Sequence, residues 1–352
     1  MPQNARPSDY WLQQGQCALL DLLSDRLVIP WFEAESRIAS TGWKSFQKVQ
    51  PLQLHEARKL LGTSGEILEE RSSHVIPVIT IRIPSPPRME KKIIRLRGTR
   101  RKLYRRYLKW TNDERLCGRY AEQVVFDSFK ASASNAGLWV PPQAPGSIDY
   151  IKGVQVPRGP LDCFAHILEL PDLGSEVTLV VEVKNINHWI YPWTKELWEL
   201  LVKAAHLATH TPVLPVLVCM RYTYLTINMA KEIGFFTIET QNQLFNVSIP
   251  AQEFREVADE FGLTIVQHQG PLDSIEDFLT KILRRSPPPS PPENEDIEWY
   301  KRQTYRFQTI APVILAYQNL ANTLSEDARR NMFKGFRAAV RTALRWPAVR
   351  GW

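Results

Sequence analysis

A mixed α/β fold of two or three domains is predicted for this chain, and three features predict it. The run Val177 to Val183 (VTLVVEV) is almost unbroken in apolar character and bounded by turn residues, the pattern of a strand buried on both faces. Around it, helical and strand-like periodicities alternate, which stacks helices on a sheet. A Pro-rich run, SPPPSPPENE from Ser286, then sets off a last helical stretch as a semi-rigid linker does. With 352 residues and 44% apolar content the chain has room for more than one core and is too apolar for wholesale disorder. The expected organisation is a basic domain over 1–112, a core over 113–285, a linker over 286–295 and a helical element over 296–352.

In the first of these, residues 8–27 carry apolar residues at helical spacing after a Ser-Asp start, and Trp31 to Ser40 forms a short second helix. Gln50 to Leu61 is a helix with Pro51 in its first turn, and Ser64 to Arg71 adds a further turn or helix. Two strand-like runs follow, His74 to Ile83 and Lys92 to Arg97, split by PSPPRMEK, and Pro77 makes the first an edge strand. Helices followed by a two-stranded ribbon resemble a winged helix, a DNA-binding module whose wing touches the backbone or minor groove.

Residues 91–109 hold ten Lys or Arg and no acid, interleaved with Tyr104 and Tyr107. Lys91, Lys92, Arg95, Arg97, Arg100, Arg101, Lys102, Arg105 and Arg106 are the candidate nucleic-acid contacts. Arginines fork onto phosphate oxygens, and each phosphate neutralised releases counterion, so binding through such a stretch is salt-sensitive and nearly sequence-neutral. The alternative is a solvated basic helix that packs through Leu103, Tyr107 and Leu108. The net charge of +7 conceals an asymmetry: residues 1–112 carry +10, 113–285 carry −7 and 286–352 carry +4. Basic flanks around an acidic centre suit a chain that grips a polyanion around a metal-binding core.

The core opens with a helix over DERLCGRYAEQVVFDSFKAS. A turn-rich strand or hairpin follows through Asp149, and then a β-hairpin from Asp162 across PDLGSE to Lys184. Glu182 and Lys184, two apart, share one face of the second strand. With the turn centred between Leu173 and Gly174, Lys184 lies opposite Cys163, and Asp162 lies opposite Asn185, close to Glu182. Asp172 falls at the far turn and Asp149 outside the hairpin, so the candidate site is Asp162, Glu182 and Lys184. Two convergent carboxylates hold a hard divalent cation, and a neighbouring lysine orients a water or offsets charge at phosphorus.

Asp, then Glu-X-Lys on the next strand of a hairpin, resembles the PD-(D/E)XK nuclease superfamily over roughly residues 113–249. The resemblance implies a restriction-endonuclease-like α-β-β-β-α-β core and a Mg²⁺-dependent cut of DNA, with Mn²⁺ as substitute. Asp162 and Glu182 would bind the metal with the Val183 carbonyl, and Lys184 would place the attacking water. A glutamate on the preceding helix is a feature of the family. Glu122 fits it, lying on the helical wheel beside Gly118, Val125 and Phe129, where a solvent-facing acid is unexpected. A DNA-binding module before such a core is similar to restriction and genome-defence nucleases. Two other readings stand beside it: a winged-helix DNA binder with an inactive core, and a nuclease subunit of a larger assembly.

Beyond Lys184, His188, Trp189, Tyr191 and Trp193 either flank a substrate groove or staple onto the next helix, the second being favoured. Thr194 to Thr209 is an amphipathic helix, Pro212 to Met220 a buried strand, and TINMAKEIGFFTIET a helix then a strand. His206 and His210 are a helix-surface pair with no third ligand to complete a zinc motif. Residues 251–285 are helical. In the last helix Lys334, Arg337, Arg341 and Arg345 oppose the apolar stripe Phe333, Phe336, Val340 and Leu344, and the C-terminal helices are a candidate partner surface. Four scattered cysteines without a C-x-x-C pair imply reduced thiols. No 18-residue apolar run or signal-peptide core is present, so a cytoplasmic protein without a membrane partner is expected, with a homodimer the usual route to double-strand cleavage.

Overall fold

The computed structural model describes residues 8–71, 79–84, 86–136, 138–167, 177–283, 295–323 and 325–344. It shows a mixed α/β chain that divides into two compact units. The first comprises residues 1–113 and 247–266, the second 114–246 and 267–352.

In the first unit, α1 (Ser8–Arg26), β1 (Val28–Pro30) and α2 (Trp31–Ala34) follow in sequence, and α2 runs on as a π-helix over Glu35–Thr41. Next come α3 (Pro51–Thr63), β2 (Leu68–Arg71), β3 (Ile79–Arg82) and α4 (Pro87–Asn112). The strands form one antiparallel sheet in the order β1-β3-β2. Two expectations are corrected here. Ser64 to Arg71 ends as a strand rather than a helix, and Lys92 to Arg97 lies inside α4. Buried Ile93, Arg100 and Tyr107 recur every seven residues, so they mark one helical face, and tertiary burial overrides the β-branched Ile93-Ile94 pair. Pro77 and the run 72–78 lie outside the described residues.

The second unit opens with α5 (Gly118–Ala136) and β4 (Leu138–Trp139), then a small ribbon of β5 (Tyr150–Ile151) and β6 (Val154–Gln155). It continues with β7 (Cys163–Ile167), β8 (Val177–Lys184), α6 (Lys195–Ala208), β9 (Val213–Cys219), α7 (Tyr224–Ile233) and β10 (Phe236–Glu239). Five strands make one mixed sheet, β10-β9-β8-β7-β4, parallel from β10 to β8 and antiparallel from β8 to β4. The central strands β8 and β9 are buried on both faces, as their apolar runs require. One face is covered by α6, whose Leu197, Trp198, Leu200, Leu201, Ala204 and Ala205 are fully buried.

Residues 251–285 are not one helix. They give α8 (Ala251–Phe261) and α9 (Asp273–Leu283), joined by the strand Ile265–Gln267. The predicted core also loses 247–266 to the first unit, where Phe254 stacks on Trp110 at 5.9 Å and Phe261 meets Phe32 at 5.2 Å. The C-terminal helices α10 (Glu295–Ala316) and α11 (Glu326–Ala343) belong to the second unit instead of standing apart. Phe307, Ile310 and Ile314 of α10 join the core against α6, and Phe336 of α11 sets its ring edge on Trp198 at 4.8 Å. Of the expected linker 286–295 only Glu295 is described, as the first residue of α10. Among the described residues no helix is long and apolar enough to cross a membrane.

Candidate metal-binding active site

The hairpin of β7 and β8 sets the site. Cys163 pairs with Val181 and Ile167 with Val177, a register three residues away from the one expected. Its consequence favours the acids: continued one step past Cys163, the ladder puts Asp162 level with Glu182. The Val183 amide donates to Asp162 Oδ2 at 2.7 Å, which fixes the carboxylate at the strand end. The connection 168–176, with Asp172, lies outside the described residues.

Glu182 sits at 3% exposure between two ammonium groups. Lys184 Nζ is 2.9 Å from its Oε1, and Lys203 Nζ donates to Oε1 and Oε2 at 3.1 Å each. Both lysines also have a second acceptor. Lys184 reaches Glu199 at 3.5 Å, and Lys203 donates to the Pro160 carbonyl at 2.8 Å. Lys203 and Glu199 were not singled out from the sequence. The signal was there: Glu196, Glu199 and Lys203, at i, i+3 and i+7, form a polar stripe on the otherwise apolar α6. Each of the three engages a residue on or just after β8, since Glu196 lies 3.8 Å from His188.

The helix α5 brings Glu122. Its Oε2 lies 3.4 Å from where a β-carbon on Gly146 would stand, and the Gly146 amide donates to the Leu161 carbonyl, the residue before Asp162. Asn185, directly after Lys184, locks this helix to the strand. Its amide donates to the Cys117 carbonyl at 3.0 Å and to the Leu244 carbonyl at 2.7 Å, and accepts from the Leu244 amide at 2.8 Å.

The electrostatics follow from this crowding. Burial, then the Glu182 and Glu122 carboxylates, push the Asp162 carboxyl up to about 8, against the opposing pull of Lys184 and the Val183 amide. Burial also raises the Glu122 carboxyl, with Lys184 opposing and Glu182 assisting. For Lys184, burial acts to lower the ammonium, but Glu182 and Asp162 outweigh it and the net shift is upward. Among the described residues no three Asp, Glu, His or Cys side chains converge tightly enough to enclose an ion. Asp162, Glu182 and Glu122 offer carboxylate oxygens, the donor type that hard divalent cations take.

The other acids and aromatics separate from this group. Asp149 is exposed at the start of the β5–β6 ribbon. Trp193 is buried, stacks on Tyr191 at 5.0 Å, and meets Phe333 and Glu326 of α11, the last helix, where the sequence pointed to the next one. His206 and His210 face each other edge-on with ring centroids 6.1 Å apart on the helix end.

The predicted nucleic-acid residues lie in the first unit, on α4. Lys91, Lys92, Arg95, Arg101, Lys102 and Arg105 are exposed. Arg100 is not: it is 8% exposed, donates to the Val28 carbonyl, and pairs with Glu260 at 2.8 Å and the buried Glu33 at 3.4 Å. Its place among the phosphate contacts is corrected, because a guanidinium on the buried face is spent on internal carboxylates. Arg97 pairs with Glu70 at 2.6 Å, and Arg106 with Glu256 at 3.1 Å and Glu253 at 3.5 Å, each partly exposed.

No family model, curated protein or solved structure matches this chain.

Proposed function

We propose that this chain is a metal-dependent nuclease with a restriction-endonuclease-like core, cutting phosphodiester bonds in DNA. One observation supports the reading above the rest. Asp162 is held beside Glu182 at the end of a buried hairpin, with Glu122 near enough to raise its carboxyl and Lys184 on Glu182. Asp, Glu-X-Lys and a helix-borne Glu follow in that order, and their charges act on one another.

In this reading Asp162 and Glu182 would hold the metal, Mg²⁺ or Mn²⁺, and by resemblance the Val183 carbonyl would join them. When bound, it supplies Lewis-acid stabilisation at the phosphoryl oxygens and a lowered pKa for water. Lys184 orients the attacking water through its lone positive charge and offsets charge developing on the phosphate. Glu122 would hold a metal-bound water or a second metal. Attack at phosphorus with the 3′ oxygen leaving gives, by resemblance, a 5′-phosphate. The first unit, with its helices and small antiparallel sheet, acts as a winged-helix-like DNA-binding module through the exposed basic face of α4. Restriction or genome defence is the matching role, by analogy of architecture.

A second reading has its own observation. Lys203 occupies both oxygens of Glu182, and a core locked in that state binds DNA without cutting it. Plasmid and single-stranded DNA incubated with wild type and Asp162→Ala, in Mg²⁺ and in EDTA, separates the two. Cutting that needs metal and drops about 100-fold or more in the variant supports the nuclease. Salt-sensitive binding with no cutting by either protein supports the binder.

A further inference from the structure

Lys203 is the least expected member of the site. It lies on α6, is 5% exposed, and brings its ammonium to equal distances, 3.1 Å, from both oxygens of Glu182. Its third hydrogen bond goes to the carbonyl of Pro160, two residues before Asp162. One side chain therefore spans the strand that carries Glu182 and the loop that carries Asp162. An ammonium equidistant from two carboxylate oxygens holds the face a cation needs, and both charges are desolvated, so their attraction is strong.

We propose that Lys203 is a resident counter-cation of Glu182, and that a divalent metal binds only by drawing one carboxylate oxygen away from it. This deepens the nuclease reading and rests on it. The surrounding contacts make the exchange feasible. When Glu182 turns an oxygen outward, Lys203 keeps the Pro160 carbonyl and Lys184 keeps Glu199, so neither ammonium is left buried without a partner. Lys203 is thus a positioning residue. It keeps the acids assembled without metal and sets how tightly metal is held.

Isothermal titration of Mn²⁺ into wild type, Lys203→Met and Lys203→Arg, each checked for folding by circular dichroism, tests this. Methionine keeps the packing volume and removes the competitor, so Mn²⁺ should bind Lys203→Met about tenfold tighter or more, while Lys203→Arg stays near wild type. Equal or weaker binding by a folded Lys203→Met overturns the proposal. Should Lys203→Met not fold, Mn²⁺-dependent labelling of the wild-type lysines decides. Amidination of Lys203, read by mass spectrometry, should rise on adding Mn²⁺ if an oxygen is released, and an unchanged rate overturns the proposal. Binding by wild type that Lys203→Met does not alter leaves the metal-site reading standing without this inference. An absence of Mn²⁺ binding in every protein removes both.

Discussion

At the residue scale, Asp162 is the most informative group. Its carboxyl, pushed up to about 8 by burial and by neighbouring carboxylates, favours the protonated form at neutral pH, and on the proposed function a cation would have to replace that proton. The sign follows: between the ordinary carboxylate range and about 8, metal must displace that proton, so affinity rises with pH and levels off above about 8. Titrating Mn²⁺ in buffers of differing ionisation enthalpy should register proton release at pH 7, and Asp162→Asn should abolish it. The same shift makes the metal-free fold less stable as pH rises from about 4 toward 8, since the folded state holds a proton the unfolded chain has lost. On α4, one helix separates two kinds of arginine. Lys102→Ala and Arg105→Ala should weaken DNA binding and reduce the salt slope by roughly 0.9 for each phosphate no longer neutralised, read by fluorescence anisotropy across salt. Arg100→Ala should instead lower stability by roughly 1–3 kcal/mol in urea melts, because buried Glu33 and part-exposed Glu260 each lose a partner while Arg26 still bridges them.

At the element scale, the hairpin and α6 define the site, and they were unequally legible. The buried character of β8 and the shared face of Glu182 and Lys184 were plain from alternation and run length. The register was not, because it is set by a turn whose centre the residues PDLGSE do not fix to better than a few positions. Glu122 was legible as an acid on an apolar sector. Lys203 was legible only as one member of the polar stripe on α6, and Asn185 was not picked out, since a lone amide acquires meaning only from what other elements bring to it. Gly234 ends α7 at φ +87°, and a β-carbon there would lie on the backbone of α10 at Gln303. Gly234→Ala should therefore cost roughly 2–4 kcal/mol through left-handed strain and overpacking, measured by thermal or urea unfolding. A merely exposed glycine would cost far less.

At the scale of the whole chain, the charge division at residue 112 was visible in composition, while the return of 247–266 to the first unit was not. Non-local packing decides that, through Phe254 on Trp110 and Phe261 on Phe32 and Tyr104. Hence a fragment ending at Asp113 should fail to fold cooperatively, shown by a broad melt and aggregation on gel filtration, for want of α8 over its aromatic face. The Pro-rich run announced a detached tail, yet α10 and α11 complete the core around α6, because Phe307, Ile310 and Ile314 of α10 and Phe336 of α11 carry apolar faces that pack into the cluster holding Trp198. The proposed function turns on one claim, that Asp162 and Glu182 share a divalent cation. The most direct measurement is the anomalous difference map of crystals soaked in Mn²⁺. A single peak about 2.0–2.3 Å from carboxylate oxygens of both Asp162 and Glu182 is the predicted result. No peak at saturating Mn²⁺, or one that touches neither acid, would contradict it.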